Sequence, residues 1–289
     1  MGLWIWRHVR IEVPDDWEML QYGRDLSDGR CAFGDRYSIR LELSWRQSGA
    51  PPDMRRTIDD YVTKLKQDEI MPDARALNRA GWHGVEGHVG GVLNTRFFRY
   101  LPSEQCVVQL VLLWPDGRDV SLEEHLLSGI GEERPINGEY RRWRAFGMDL
   151  TTREGLRLSE CRIEPGNATM SFAPENKSHA QETFRRLGFV SHWLHGSVEQ
   201  WLEVDAPREM RIERRETETR SGHVLVNLAG TRPSHGAARM IGKRDRIDIC
   251  AWKCPHDEHL YVVRLEGEST DRRERRLAGE RLRCCGGLT

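Results

Sequence analysis

The sequence predicts an α+β protein of two tandem, diverged repeats, each an antiparallel β-sheet flanked by helices. Three observations lead there. Val9, Ile11 and Val13 alternate with Arg10 and Glu12, and Ile39, Leu41, Leu43 and Trp45 alternate with Arg40, Glu42 and Ser44. Such period-two runs are strands with one wet and one buried face, as in an antiparallel sheet covered on one side. Met54, Ile58, Tyr61, Val62 and Leu65 recur at helical spacing after Pro51-Pro52-Asp53, which predicts an amphipathic helix lying on such a sheet. Beyond residue 142 the whole pattern starts again.

Each element of the first repeat has a local cause. The first strand stops at Pro14-Asp15-Asp16. After the helix, strands are expected around Gly84–Val92, Asn94–Tyr100 and Cys106–Trp114; the last is almost wholly apolar, which suits a central position. Pro115-Asp116-Gly117 makes a turn, and Ser121-Leu122-Glu123-Glu124 reads as a capping box opening a terminal helix with Leu122, Leu126 and Ile130. Residues 131–142 show no periodicity and read as a linker, so the repeats are set at 1–135 and 136–289.

The second repeat follows by alignment. Trp6–Val13 lines up with Trp143–Leu150, and the same offset sets Gly29 on Gly166. Further on, Ala80-Gly81-Trp82 meets Ser221-Gly222-His223, and Tyr100–Glu104 meets Lys253–Asp257. The offset only grows, as insertions in a duplicated domain would make it. Gln181–Trp201, with Phe184, Leu187, Trp193, Leu194, Val198 and Trp201, predicts one or two helices broken near Gly188 or Gly196. A terminal helix is expected from near Asp271.

Composition excludes several classes. Hydrophobic residues are 38 % and charged residues 31 % of 289, too apolar for a disordered chain. No run nears 18 apolar residues, and the start, Met1-Gly2-Leu3-Trp4-Ile5-Trp6, lacks the order of a secretory signal. Trp6 stands where a myristoylation signal needs Ser or Thr. A net charge of −1 provides no field for nucleic acid or anionic membrane. Seven cysteines, odd in number and scattered, fit a reducing compartment, and the cytoplasm is the expected location.

The order of elements, together with the turn Val13-Pro14-Asp15-Asp16-Trp17, resembles the PsbP-like fold, shared by a photosystem II extrinsic subunit, the Ran-binding Mog family and small bacterial proteins. The resemblance covers most of the first repeat and less of the second, where Thr151-Thr152-Arg153-Glu154 replaces the motif. It implies a protein that binds protein partners or scaffolds complexes, because members of that fold mostly do so; a fold by itself carries no function.

Candidate chemistry is sparse. Cys250, Cys254, His256 and His259 have the residue types zinc takes. Cys250 and Cys254 would lie about 13 Å apart on one strand at ~3.3 Å per residue. Phe97, Leu101, Ser103 and Cys106 fill the matching places in the first repeat. Incidental residues are therefore favoured there, with Cys254, His256 and His259 held as the zinc candidates and no cofactor expected. Cys284-Cys285 reads as an inert tail pair, since only Arg281 and Arg283 stand near to lower a thiol pKa. His192 and His195 are expected on one helical face, and His83 and His88 on opposite faces of a strand. The run Asp271-Arg272-Arg273-Glu274-Arg275-Arg276, with Arg281 and Arg283, reads as a solvated helix face rather than a phosphate-binding one. Nucleophile-elbow, phosphate-loop, dinucleotide and zinc-protease motifs are missing. The expected role is a non-enzymatic protein-binding or scaffold protein. The alternative is a small-ligand binder or enzyme with a site between the repeats, drawing on His83, His88, Arg96, His192 or His195.

Overall fold

The structure, a computed structural model, describes residues 1–23, 28–175, 180–234, 243–267 and 278–285. The chain divides into two compact units, Met1–Glu133 and Arg134–Thr289.

In the first unit β1 (Gly2–Trp6) and β2 (Val9–Val13) form a hairpin through Arg7, whose φ is 60°. The strands β3 (Glu18–Tyr22), β4 (Asp28–Gly34) and β5 (Ile39–Gln47) follow, then α1 (Met54–Gln67). Next come β6 (Arg75–Arg79), β7 (Trp82–Val89), β8 (Val92–Leu101) and β9 (Cys106–Trp114), and last α2 (Val120–Gly129) and β10 (Gly131–Glu132). Seven of these strands make one antiparallel sheet in the order β3-β4-β5-β9-β8-β7-β6. The alternation of β9 is carried through: Cys106, Val108, Leu110, Leu112 and Trp114 are buried, and the residues between them are half-buried.

Both faces of that sheet are covered. Asp53 caps α1 by accepting from the Arg56 amide, and Ile58 and Leu65 set the helix on Met71, Ala74 and Val85. On the other face the β1–β2 hairpin places Trp4 edge-on to Phe33 at 5.3 Å between ring centroids. Asp119, not Ser121, caps α2, because the Asp119 carboxylate reaches the Leu122 amide at 2.9 Å.

The second unit repeats this order. Its strands are β11 (Tyr140–Ala145), β12 (Met148–Arg153), β13 (Leu156–Glu164), β14 (Asn167–Pro174) and β15 (Gln181–Leu187). Two short helices, α3 (Val190–Trp193) and α4 (Val198–Asp205), stand where α1 stood. Then come β16 (Arg211–Arg220), β17 (His223–Pro233), β18 (Arg244–Lys253), β19 (Leu260–Gly267), a 3-10 turn at Ala278–Glu280 and β20 (Leu282–Arg283). The sheet order, β13-β14-β15-β19-β18-β17-β16, matches that of the first unit position for position. Trp143 lies on Phe172 at 4.9 Å as Trp4 lies on Phe33. The true counterpart of Trp143 is thus Trp4, two residues before the Trp6 that the sequence alignment chose.

The fold class expected from sequence is wrong. Strands hold 55 % of the described residues and helices 15 %, so the fold is mostly β and not an α+β arrangement of helix-flanked sheets. Two physical causes account for the error. Gln181–Leu187 is a strand, with Glu182 and Phe184 on one face; the three-residue step from Phe184 to Leu187 imitated a helix because Leu187 is buried on the opposite face, while Glu182 and Arg186 take the positions on either side of Phe184. The edge strand β16, Arg-Ile-Glu-Arg-Arg-Glu-Thr-Glu-Thr-Arg, is exposed nearly throughout and carries no apolar period. Charge on an edge strand is a common guard against unwanted pairing. The linker is shorter than expected, since β10 and β11 enter the range 131–142 from either end. The helix expected from Asp271 falls largely outside the described residues; those described beyond it form the 3-10 turn and β20.

Candidate metal centre

The second unit gathers His223, Cys254, Cys284 and Cys285 so that one ligand atom from each lies within 4.8 Å of all the others. Local backbone chemistry aims each of them.

His223 opens β17 after a two-residue turn, Ser221 (φ 46°) and Gly222 (φ 77°). Two left-handed residues in succession are the mark of a tight hairpin turn, and the turn presents the Ser221 carbonyl to the ring. The imidazole Nδ1 sits 2.9 Å from that carbonyl oxygen. A carbonyl only accepts, so Nδ1 carries the proton and Nε2 presents a bare lone pair. Nε2 faces sulfur, at 3.3 Å from Cys284 Sγ and 3.5 Å from Cys285 Sγ.

Cys254 follows β18 on the neighbouring strand. Val226 pairs with Ala251, and counting three residues outward on each strand brings His223 level with Cys254. The Cys254 amide donates to the His259 carbonyl and the Glu258 amide to the Cys254 carbonyl, which closes the turn. The amides of Asp257 and His256 then point at the Cys254 sulfur. Burial nevertheless pushes this thiol up to about 12, and the neighbouring Cys284 sulfur adds to the rise. Cys284 is also raised, chiefly by burial. The Trp252 indole donates to Cys284 Sγ at 3.4 Å, and the Cys284 and Cys285 sulfurs are 3.7 Å apart.

These separations suit a tetrahedral ion. With Zn–S near 2.3 Å and Zn–N near 2.0–2.1 Å, tetrahedral angles put sulfurs ~3.8 Å and sulfur and nitrogen ~3.6 Å from one another. A divalent cation also supplies the charge that lets buried thiols ionise, which burial alone opposes. Three soft sulfurs and one imidazole select zinc among common divalent ions. With four protein ligands no coordination position stays open for substrate, so the set is structural in type. The carbonyl behind the histidine is the outer-shell partner such ligands usually have.

Of the zinc candidates read from sequence, Cys254 is in this group. His256 is exposed beside it, its ring centroid 6.1 Å from that of His223. His259 turns away, its Nδ1 3.5 Å from Asp257 and its ring beside Tyr261. Cys250 is not in the group: its sulfur lies against Gly279, where an added Cβ would sit 3.3 Å from it. The Cys284-Cys285 pair, read as an inert tail, brings two of the group's three sulfurs, and His223 was not a candidate at all. The alignment of the repeats held the missing signal: it set His223 against Trp82 and Cys254 against Leu101, two metal-binding side chains in place of two apolar ones.

The remaining candidates have local roles. His192 ends in the one-turn α3 and His195 lies beyond it, both exposed, so they do not share a helical face. His88 Nδ1 pairs with Asp73 at 2.7 Å, and Arg96 donates to the Tyr61 hydroxyl. His83 pairs with Phe98 in the β7–β8 ladder. Residues 271–276 lie outside the described residues; Arg281 is buried against Glu182 and Arg283 is exposed. The first unit holds a thiol–imidazole pair, Cys106 Sγ to His8 Nε2 at 3.6 Å with Glu104 3.7 Å from Nδ1. Burial, with Glu104 and Glu132 adding to it, raises Cys106 to about 11, the reverse of what a nucleophile needs.

No family model matches the chain, and no curated protein matches it. Solved structures similar at low scores include the following three. A protein of Bacteroides thetaiotaomicron VPI-5482 shares 13 % identity over 50 % of each chain with a TM-score of 0.28. The chain therefore spans half the length of that protein. The type VI secretion immunity protein TplEi of Pseudomonas aeruginosa, complexed with an "L" peptide, shares 8 % identity over 95 % of this chain and 99 % of its own, TM-score 0.37. Its apo structure gives 8 %, 92 %, 96 % and 0.35. Likenesses at these scores carry no argument about fold or role.

Proposed function

We propose that this protein is a non-enzymatic binding protein whose second unit holds one structural zinc ion through His223, Cys254, Cys284 and Cys285. One observation carries the reading: a histidine with its Nδ1 proton committed to a carbonyl presents Nε2 to two sulfurs at 3.3 and 3.5 Å. That arrangement serves ion coordination and leaves no open position for catalysis. All seven cysteines are free thiols, and a zinc–thiolate centre of this kind suits the reducing cytoplasm.

The partner-binding part is favoured by Phe189. This aromatic residue has φ 53° and is 65 % exposed. A bulky side chain held in left-handed backbone and turned to water is a costly placement of the kind found at binding surfaces.

Native mass spectrometry and elemental analysis of protein purified without a metal-affinity tag, under reductant, test both parts. The expected result is one zinc per chain, lost in Cys254→Ser and in His223→Ala, and a cobalt-substituted form with thiolate-to-metal absorption. Protein that is metal-free as isolated and retains no added zinc through dialysis sinks the metal reading. A stoichiometric protein companion in the same spectrum supports the binding role, and its absence after gentle purification from the native host counts against it.

A further inference from the structure

Three buried positions differ between the units in the same direction. Leu41, opposite Phe33, has Glu182 as its counterpart, opposite Phe172. Trp82, first residue of β7 after the left-handed pair Ala80-Gly81, has His223. Leu101, four residues before the left-handed Gln105, has Cys254, four before the left-handed Glu258. All six are buried. In the second unit each of the three polar replacements binds the same short segment, residues 279–285. Glu182 takes both guanidinium ends of Arg281, one at 2.8 Å, and His223 and Cys254 face Cys284 and Cys285.

The first unit closes by different means. There α2 buries Leu126 and Leu127 and is followed by buried Ile130, and the Trp82 indole holds the Leu127 carbonyl at 3.0 Å. Apolar closure of this kind comes undone only with the core. The second unit's closing segment has one buried aliphatic side chain, Leu282, and two ladder pairs, Asp149 with Arg283 and Leu150 with Leu282. Its other ties are two hydrogen bonds exchanged between Arg281 and the Thr151 backbone, the ion pairs of Arg281 with Glu182 and of Glu280 with Arg220, and contacts to the Cys284 and Cys285 sulfurs.

We propose that the metal latches this segment as a C-terminal strap, which leaves the second unit's sheet when the metal is removed while the sheet stays folded. The proposal rests on the zinc reading above. Release does not strand a buried charge, because Glu182 keeps Arg153, whose Nε donates to it at 2.8 Å and whose backbone amide donates at 3.3 Å. Nor does it open the seven-strand ladder, since none of the strap pairs with β13–β19.

Hydrogen exchange read by mass spectrometry tests this on the full chain, zinc-loaded and after treatment with a zinc chelator and reductant, with metal content measured on the same samples. Amides of residues 279–285 are expected to exchange at least ~10-fold faster after metal loss, with β14, β15, β19 and α2 unchanged. The double variant Cys284→Ser, Cys285→Ser, prepared with zinc present, is expected to match the chelated parent. Metal loss without faster exchange in the strap overturns the latch and leaves the metal reading standing. Faster exchange spread through β14, β15 and β19 also overturns it, since the metal would then hold the whole unit. A chain that never takes up zinc fails both readings.

Discussion

At the scale of the residue, single hydrogen bonds decide what a side chain can do. The Ser221 carbonyl holds the Nδ1 proton of His223 and leaves Nε2 free to face sulfur, as the proposed zinc site requires. Asp35 shows the same economy in the β4–β5 turn. It accepts from the amides of Tyr37 and Ser38 at 2.7 and 2.8 Å and from Arg40. Those amides chiefly, with Arg40 contributing, hold its carboxyl below the ordinary range. A folded-state pKa below the unfolded one adds stability above the ordinary carboxylate range and loses it as pH falls through the depressed value. Asp35→Ala is thus expected to lower the urea midpoint at pH 7 and to converge with the parent as pH falls through the depressed value and the carboxylate takes up its proton. A gap that persists in acid would show that the turn depends on something other than the carboxylate. Such caps and turns are legible in sequence because donor and acceptor lie within a few residues. Asp53 before α1 was read directly; His223 was not, because its partners lie 31 or more residues away in the chain.

At the scale of the element, the sheet edges were the hardest to read and are the most constrained. β16 pairs with β17 across a bulge between Ile212 and Arg214, and Gly230 sits opposite it. A Cβ on Gly230 would fall 2.2 Å from the Arg211 carbonyl oxygen, which is backbone and cannot swing aside. Gly230→Ala is expected to cost about 1–3 kcal/mol in chemical denaturation, the usual range for overpacking. Gly49→Ala, with no atom within 4 Å of the new methyl, is the matched control and should be close to neutral. Equal costs would mean that the ladder yields at the bulge. The strands legible in sequence, β2, β5 and β9, are those with one face in the core. β16 had no such face, and in β15 a glutamate occupies one of the inward positions.

At the scale of the whole molecule, the duplication supplies its own comparison. Replacing Glu182 by the leucine of the first unit removes the main partner of Arg281, which is 7 % exposed. Breaking one side of a buried pair typically costs about 3–5 kcal/mol, whereas replacing both sides by apolar groups of like volume is often near neutral. Glu182→Leu alone should lower stability by that order, and Glu182→Leu with Arg281→Met should regain most of it in urea titrations. A double variant no better than the single would mean that Arg281 acts through Thr151, whose carbonyl it also meets at 3.1 Å, and not through the ion pair.

Read along the chain, the residues already show that the pattern repeats, where α1 begins, that Cys106–Trp114 is a central strand of the first sheet, and that Ala80-Gly81 and Ser221-Gly222 are the same turn. Periodicity, caps and turns act between near neighbours, so a linear reading reaches them. Tertiary structure alone decided that the protein is mostly β, and that Cys254 meets Cys284, Cys285 and His223 rather than His256 and His259. Both follow from long-range pairing: the β17–β18 register and the return of the chain end set which distant residues share a few ångströms, and no local pattern encodes that.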